Sequence, residues 1–223
     1  MARKGLTAKA AVPTAAPFVP PSRNLRVLAK AAQDCKGCDL WKGATQAVFG
    51  EGRPHAKVMF VGEQPGDKED LAGRPFVGPA GKLLDRALQE AGIYRGEVYV
   101  TNAVKHFKWE PRGKRRIHKK PNAIEIHACR PWLDVELEAV KPEAIVCLGA
   151  TAAQAVLGRQ FRLTQHRGQP VPSPLAPMVT ATVHPSAPLR APDDESRRRV
   201  IAAFLADSRR IARMLRRYER KAA

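Results

Sequence analysis

At 223 residues the chain has room for one sizeable domain and little for a second. Its 39 lysines and arginines against 21 acidic residues give a formal net charge of +18. Such an excess seeks polyanions, nucleic acid first and an anionic membrane surface as the alternative. No run of about 18 apolar residues occurs, which excludes an ordinary spanning helix.

Residues 1–24 are rich in Ala, Pro and basic residues and have no continuous apolar core of the signal-peptide type. They are expected to form a disordered basic arm ahead of a single domain over 25–223. The expected setting is the reducing cytoplasm, beside the nucleoid, with the chain a monomer and no membrane partner. The first strong strand is Lys57–Val61, followed by a Gly- and Pro-rich loop from Gly62 to Gly81. A helix is expected over 83–92, with Leu84, Ala87, Leu88 and Ala91 at helical spacing and Gly92 as its stop. Val98–Val104 is a second, β-branched strand, and Lys105–Lys120 reads as a loop with Trp109 and a dense basic cluster.

Asn122 with Glu125 three residues on looks like a capping box, and Pro131 is expected to divide the helix that follows. Ala144–Leu148 is a third strand, after which Thr151 is expected to cap a short helix through Leu157. Gln160–Val171 reads as a turn or hairpin, Met178–Val183 as a fourth strand ending at His184, and 193–218 as a long basic helix. Strands alternating with helices imply an α/β fold: a three-layer α/β/α sandwich around a mainly parallel four-stranded sheet. Sites in such folds form where loops leave the carboxyl ends of strands, here after Val61, Val104, Leu148 and Val183.

The four cysteines are a C-x2-C pair, Cys35 and Cys38, then Cys129 and Cys147. Four sulfurs suit either zinc or an iron–sulfur cluster, and spacing does not separate the two. Disulfides do not suit a basic chain in a reducing compartment.

Three loops together resemble one family. Gly62-Glu63-Gln64-Pro65-Gly66-Asp67, with Gly73-Arg74-Pro75-Phe76-Val77-Gly78, resembles the first motif of family 4 uracil-DNA glycosylases. Thr101-Asn102-Ala103-Val104-Lys105 resembles the second, and His184-Pro185-Ser186 the third. Gln64 after Glu63 and the run Lys114-Arg115-Arg116-Ile117-His118 depart from ordinary family 4 sequences and are similar to the branch called UdgX. The resemblance implies a [4Fe-4S] cluster on Cys35, Cys38, Cys129 and Cys147. It also implies excision of uracil from DNA, preferably single-stranded, followed by covalent capture of the abasic sugar on His118.

Residue roles follow from that resemblance. A flipped uracil needs a pocket: Phe76 to stack on it and Asn102 to donate to O4 and accept from N3–H. Gly62, Gln64 and Asp67 line the same loop, where thymine's methyl would have to be rejected; Gln64 would shape the pocket or hold a substrate atom or water. His184 would donate to uracil O2 and stabilise the leaving anion. Glu63 would either stabilise the cationic sugar or deprotonate the attacking group. Lys105, Lys114, Arg115, Arg116 and Lys119 read as phosphate contacts. The arginines of the last helix either extend the DNA track or form a solubilising face.

Overall fold

The computed structural model describes residues 12–222. Strands β1 (Val58–Gly62), β2 (Val98–Asn102), β5 (Ala144–Leu148) and β7 (Met178–Thr182) run parallel, and β6 (Pro170–Val171) pairs antiparallel with β7. The order is β2-β1-β5-β7-β6, so the sheet has five strands rather than the expected four. The added strand occupies part of the segment read as a turn or hairpin; a four-residue helix, α6 (Leu163–His166), precedes it. Two residues with a proline give almost no periodicity to read, and an edge is where a strand tolerates proline.

Alternation along each strand divides the core. Val58, Phe60, Val100, Ala144, Val146 and Leu148 face α3 (Pro79–Ala91) and α7 (Asp194–Ala222), with Leu84, Leu88, Phe204, Leu205 and Ile211 packed against them. Met59, Val61, Ile145, Cys147 and Val179 face α4 (Ala123–Val140) and α5 (Ala150–Leu157) on the other side. Helices therefore cover both faces, as parallel sheets require. Among the described residues no helix is long and apolar enough to cross a membrane.

Four local expectations are corrected. Helix α4 runs unbroken through Pro131. A proline inside a helix costs about 3 kcal/mol or more, but Ala128 and Cys129 before it and Trp132, Leu133 and Leu137 after it are all buried, which keeps both halves on one axis. The stretch read as a loop contains an antiparallel hairpin, β3 (Trp109–Arg112) and β4 (Arg115–His118). Gly113, at φ 59°, supplies the backbone its tight turn needs. Helix α5 is entered from Gly149, at φ 89°, so Thr151 lies inside it and not at its cap.

The fourth concerns the N-terminal segment, whose residues 12–24 belong to the folded body; residues 1–11 lie outside the described residues. Ala15 is buried, and its N–H donates to the Ala128 carbonyl at 2.7 Å. Asn24 caps α1 (Leu25–Ala32) by accepting from Arg26 N–H at 2.9 Å. This segment, α1 and the Cys35–Cys38 turn build a third apolar cluster against α4 with Leu28, Leu40, Phe49 and Trp132.

The segment between α2 (Asp67–Ala72) and α3 is folded back tightly. The Glu69 carboxylate accepts from Gly66 N–H at 3.2 Å and from Gly78 N–H at 2.7 Å, closing the loop that carries Phe76. Phe76 itself sits at φ 56°, a region that costs a bulky residue energy and persists only when its surroundings hold it. A Cβ on Gly81 would overlap the Phe76 carbonyl. Gly81→Ala is therefore expected to destabilise the protein by about 1–3 kcal/mol or more in chemical denaturation, the usual cost of overpacking.

Candidate active site

Loops after β1, β2, β5 and β7 converge at the carboxyl end of the sheet. Gly62 ends β1, opposite Asn102 at the end of β2. Its lack of a side chain decides the local geometry: a Cβ there would overlap the Asn102 side-chain oxygen and lie 2.8 Å from Phe76 Cζ. Phe76 and Asn102, both buried, thus meet over the same glycine. The Phe76 and His184 rings lie 27° from parallel with centroids 6.3 Å apart. A stacking face, a carboxamide and an imidazole are brought together here.

The protonation of His184 follows from its neighbours. The Ser186 N–H donates to His184 Nδ1 at 3.1 Å, and the Ser186 hydroxyl lies 2.8 Å from the same atom. A main-chain amide can only donate, so Nδ1 is the unprotonated nitrogen and the ring's proton is on Nε2. Burial pushes the imidazole down to about 4, with Arg190 and His118 acting in the same direction and Glu63 opposing them. His184 is therefore neutral at pH 7 and presents an N–H donor from Nε2.

Glu63 follows Gly62, and its Oε1 lies 3.3 Å from His118 Nε2. Burial raises the Glu63 pKa, but hydrogen bonds with His118 and Thr151 and the charges of His118 and His184 outweigh it. The net position is below the usual carboxylate range. Glu63 is thus ionised at neutral pH. Thr151, misread as a cap, is a partner of this carboxylate.

His118 reaches Glu63 because its hairpin is clamped at the base. Gln64 Nε2 donates to the carbonyls of Lys108 and Lys119, both at 3.1 Å, and Gln64 Oε1 accepts from Lys108 N–H at 3.1 Å. The Gln64 carboxamide therefore joins the two feet of the hairpin, a different task from the pocket role expected of it. Strand alternation turns Arg116 and His118 to one side of β4. Arg116 Nε bonds Asp67 at 2.7 Å and its Nη1 bonds Asp70 at 2.6 Å, while the guanidinium lies 5.5 Å from the Phe107 ring centroid and 5.6 Å from that of Trp109.

Two phosphate expectations change on this geometry. Arg116 and Asp67 pin the hairpin to α2; the guanidinium is not free for phosphate, while Asp67 commits one oxygen and stays partly exposed. Lys105 is also withdrawn, fully buried against Glu136 at 2.5 Å. Lys119 is exposed but pairs with Glu110 at 3.0 Å. Lys114 and Arg115 stand exposed at the hairpin tip, where a phosphate could reach them.

Of the four cysteines, three come together. Cys35 and Cys129 are buried in the N-terminal cluster and Cys38 packs against it. Lys105 N–H donates to Cys129 Sγ at 3.2 Å. Burial pushes the Cys129 thiol up to about 12, opposed by Lys105 and reinforced by Cys38 and Cys35. Cys129, whose Sγ accepts an amide N–H, shares this apolar cluster with Cys35 and Cys38, a set of thiols of the kind that would suit an iron–sulfur cluster. Among the described residues no three His, Cys, Asp or Glu side chains close around a single ion.

Cys147 is not part of this group. It lies on β5 within the core beneath α4 and α5, where burial alone pushes its thiol up to about 12. His106, which no motif assigns a role, is buried one residue beyond Lys105, and desolvation pushes its imidazole down to about 4. Both faces of β5 are buried; Cys147 packs with Ile145 in the cluster beneath α4 and α5, whereas Cys35 and Cys129 pack in the N-terminal one.

A profile of the uracil DNA glycosylase superfamily matches residues 49–208. The chain is 38% identical to a type-4 uracil-DNA glycosylase of Thermotoga maritima, over 79% of this chain and 89% of that protein. It is 41% identical to a type-4 enzyme of Sulfurisphaera tokodaii, over 71% of this chain and 73% of that one. A type-4 enzyme of Pyrobaculum aerophilum is 39% identical, over 76% and 86%. With the family's profile spanning the sheet and every loop of the site, the chain belongs to the uracil-DNA glycosylase superfamily.

Proposed function

We propose that this protein excises uracil from DNA and then remains covalently attached to the abasic sugar through His118. The observation that carries the second half is the placement of His118 Nε2 3.3 Å from Glu63 Oε1, on a hairpin clamped by Gln64. Similarity to type-4 uracil-DNA glycosylases supports the first half.

The chemistry divides among four side chains. Phe76 offers the extruded base a stacking face, and Asn102 offers a donor and an acceptor for its O4 and N3–H. As the bond from C1′ to uracil N1 breaks, its electron pair leaves on the base, and the Nε2–H of His184 stabilises the resulting anion at O2. The ionised Glu63 faces the cationic sugar. The His118 lone pair then forms a bond to C1′, and the imidazole's remaining N–H proton is lost, to Glu63 or solvent, leaving a neutral N-alkylimidazole. Expelling that group again would need an imidazolate or a well-placed acid, so the adduct persists. Lys114 and Arg115 bind a flanking phosphate from the hairpin tip, and a single strand suits a site whose substrate base must be extruded.

The names of the relatives favour a second reading, an enzyme that releases the abasic site to water and turns over. The two part on a denaturing gel with a labelled uracil oligonucleotide. Capture predicts a slow band for the wild type that is absent for His118→Ala and for a thymine control. Abasic product accumulating beyond one equivalent, with no slow band, would instead establish turnover. Gln64→Ala frees both feet of the hairpin and is expected to lower the rate of adduct formation at least tenfold, while uracil release falls less.

The iron–sulfur cluster fits Cys35, Cys38 and Cys129, and we assign His106 as the fourth donor in place of Cys147. A neutral imidazole is the form that coordinates metals. Bound there, a cluster would cross-link the N-terminal segment to α4, a structural role. Purified protein is expected to be brown with broad visible absorption. Cys147→Ala should keep that spectrum and His106→Ala should lose or alter it; colourless protein with one zinc per chain would overturn the assignment.

A further inference from the structure

One buried lysine touches both the cysteine cluster and the backbone that carries the base-reading asparagine. Lys105 is 1% exposed and its partner Glu136 is 0% exposed. The ammonium meets Glu136 Oε2 at 2.5 Å, Thr101 Oγ1 at 2.7 Å and the main-chain oxygen of Asn102 at 2.7 Å, so all three of its protons are engaged. Glu136 is equally committed. Its Oε1 accepts from Gly50 N–H at 2.9 Å and from the Tyr99 hydroxyl at 3.1 Å, and Thr101 lies 2.9 Å from both oxygens.

The main chain of Lys105 is gripped as well. Its N–H donates to Cys129 Sγ at 3.2 Å and its carbonyl accepts from Val48 N–H at 2.8 Å. Cys129 and Glu136 are seven residues apart on α4, two turns along one face. That single helix face therefore holds Lys105 at both its amide and its ammonium.

We propose that Lys105 is a positioning residue for uracil recognition: by bonding the Asn102 carbonyl, it fixes the direction in which the Asn102 carboxamide meets the base. This rests on Asn102 reading uracil, as proposed above. Stability alone does not account for the pair, since a buried ion pair is often matched or bettered by apolar residues of equal volume. An apolar side chain could fill the same space, but it could not hold a main-chain oxygen in place. Asn102 ends a strand, and the next residues turn away from the sheet, so without that tether its carbonyl has no other side-chain partner among the described residues.

The test uses Lys105→Met combined with Glu136→Gln, which leaves no lone charge buried. Four quantities are compared with the wild type: thermal stability, visible absorption of the cluster, affinity for free uracil, and affinity for a uracil-free oligonucleotide. The expected result is a folded, brown protein that binds free uracil about tenfold more weakly, the loss of roughly one charge-assisted hydrogen bond. Its affinity for uracil-free DNA should be unchanged. Uracil affinity within twofold of the wild type overturns the proposal, and so does an equal loss on uracil-free DNA, which would make Lys105 a phosphate contact. If the double variant does not fold, Lys105→Met alone removes the tether while Glu136 keeps its Gly50, Tyr99 and Thr101 donors, and it is judged by the same two criteria. Failure of the wild type itself to bind or excise uracil would instead overturn the reading of the site.

Discussion

A two-stranded hairpin is at best marginally stable alone in water, so the position of His118 depends on what ties the hairpin down. Two ties do so. At its base, the Gln64 carboxamide bonds both flanking chains, and the antiparallel ladder places His118 opposite Trp109, whose indole N–H donates to the Gly43 carbonyl at 2.7 Å. On its inner side, Arg116 is held by two carboxylates and two aromatic rings. Because Gln64 adjoins Glu63, the residue that anchors the hairpin and the residue that faces His118 share one stretch of backbone. The separation of Glu63 and His118 is thereby set over a very short path.

The site also depends on charges taken out of water. Lys105 and Glu136 have no contact with solvent, and Asp70 has none either while bonding Arg116 and Thr45 N–H. Burial without partners would be prohibitive, yet each group finds several. Removing one member of such a set costs about 3–5 kcal/mol, because the remaining charge is stranded. These residues lie under the pocket and the hairpin, not within them. They make a polar foundation for loops that would otherwise have little apolar area to hold them.

The layered fold and the loops leaving the carboxyl ends of its strands are legible in the sequence because β-branched runs ending in Gly, Asn or His mark strand ends directly. What was misread has a common physical origin. Lys105 and Arg116 lie in basic, motif-bearing segments, and net charge suggests phosphate; their actual partners, Glu136 and Asp70, are 31 and 46 residues away in sequence. Counting alone groups Cys147 with the other sulfurs, whereas it packs in the cluster beneath α4 and α5 and the others pack in the N-terminal one. Pro131 was read by its local cost, and tertiary burial on both sides of it outweighs that cost. Residues 12–24 looked like an arm because small residues and prolines carry no period, yet Ala15 packs closely against the backbone of Gly37.

The histidine of the third motif illustrates how much of the chemistry is written in the main chain. Its tautomer is fixed by an amide N–H at position 186, not by that residue's side chain. Loss of the Ser186 hydroxyl would release Arg190, whose guanidinium bonds it at 2.9 Å, yet would leave the proton on the same ring nitrogen. The direction in which His184 donates is therefore a property of the turn itself, and any residue at 186 other than proline, which lacks the N–H, preserves it.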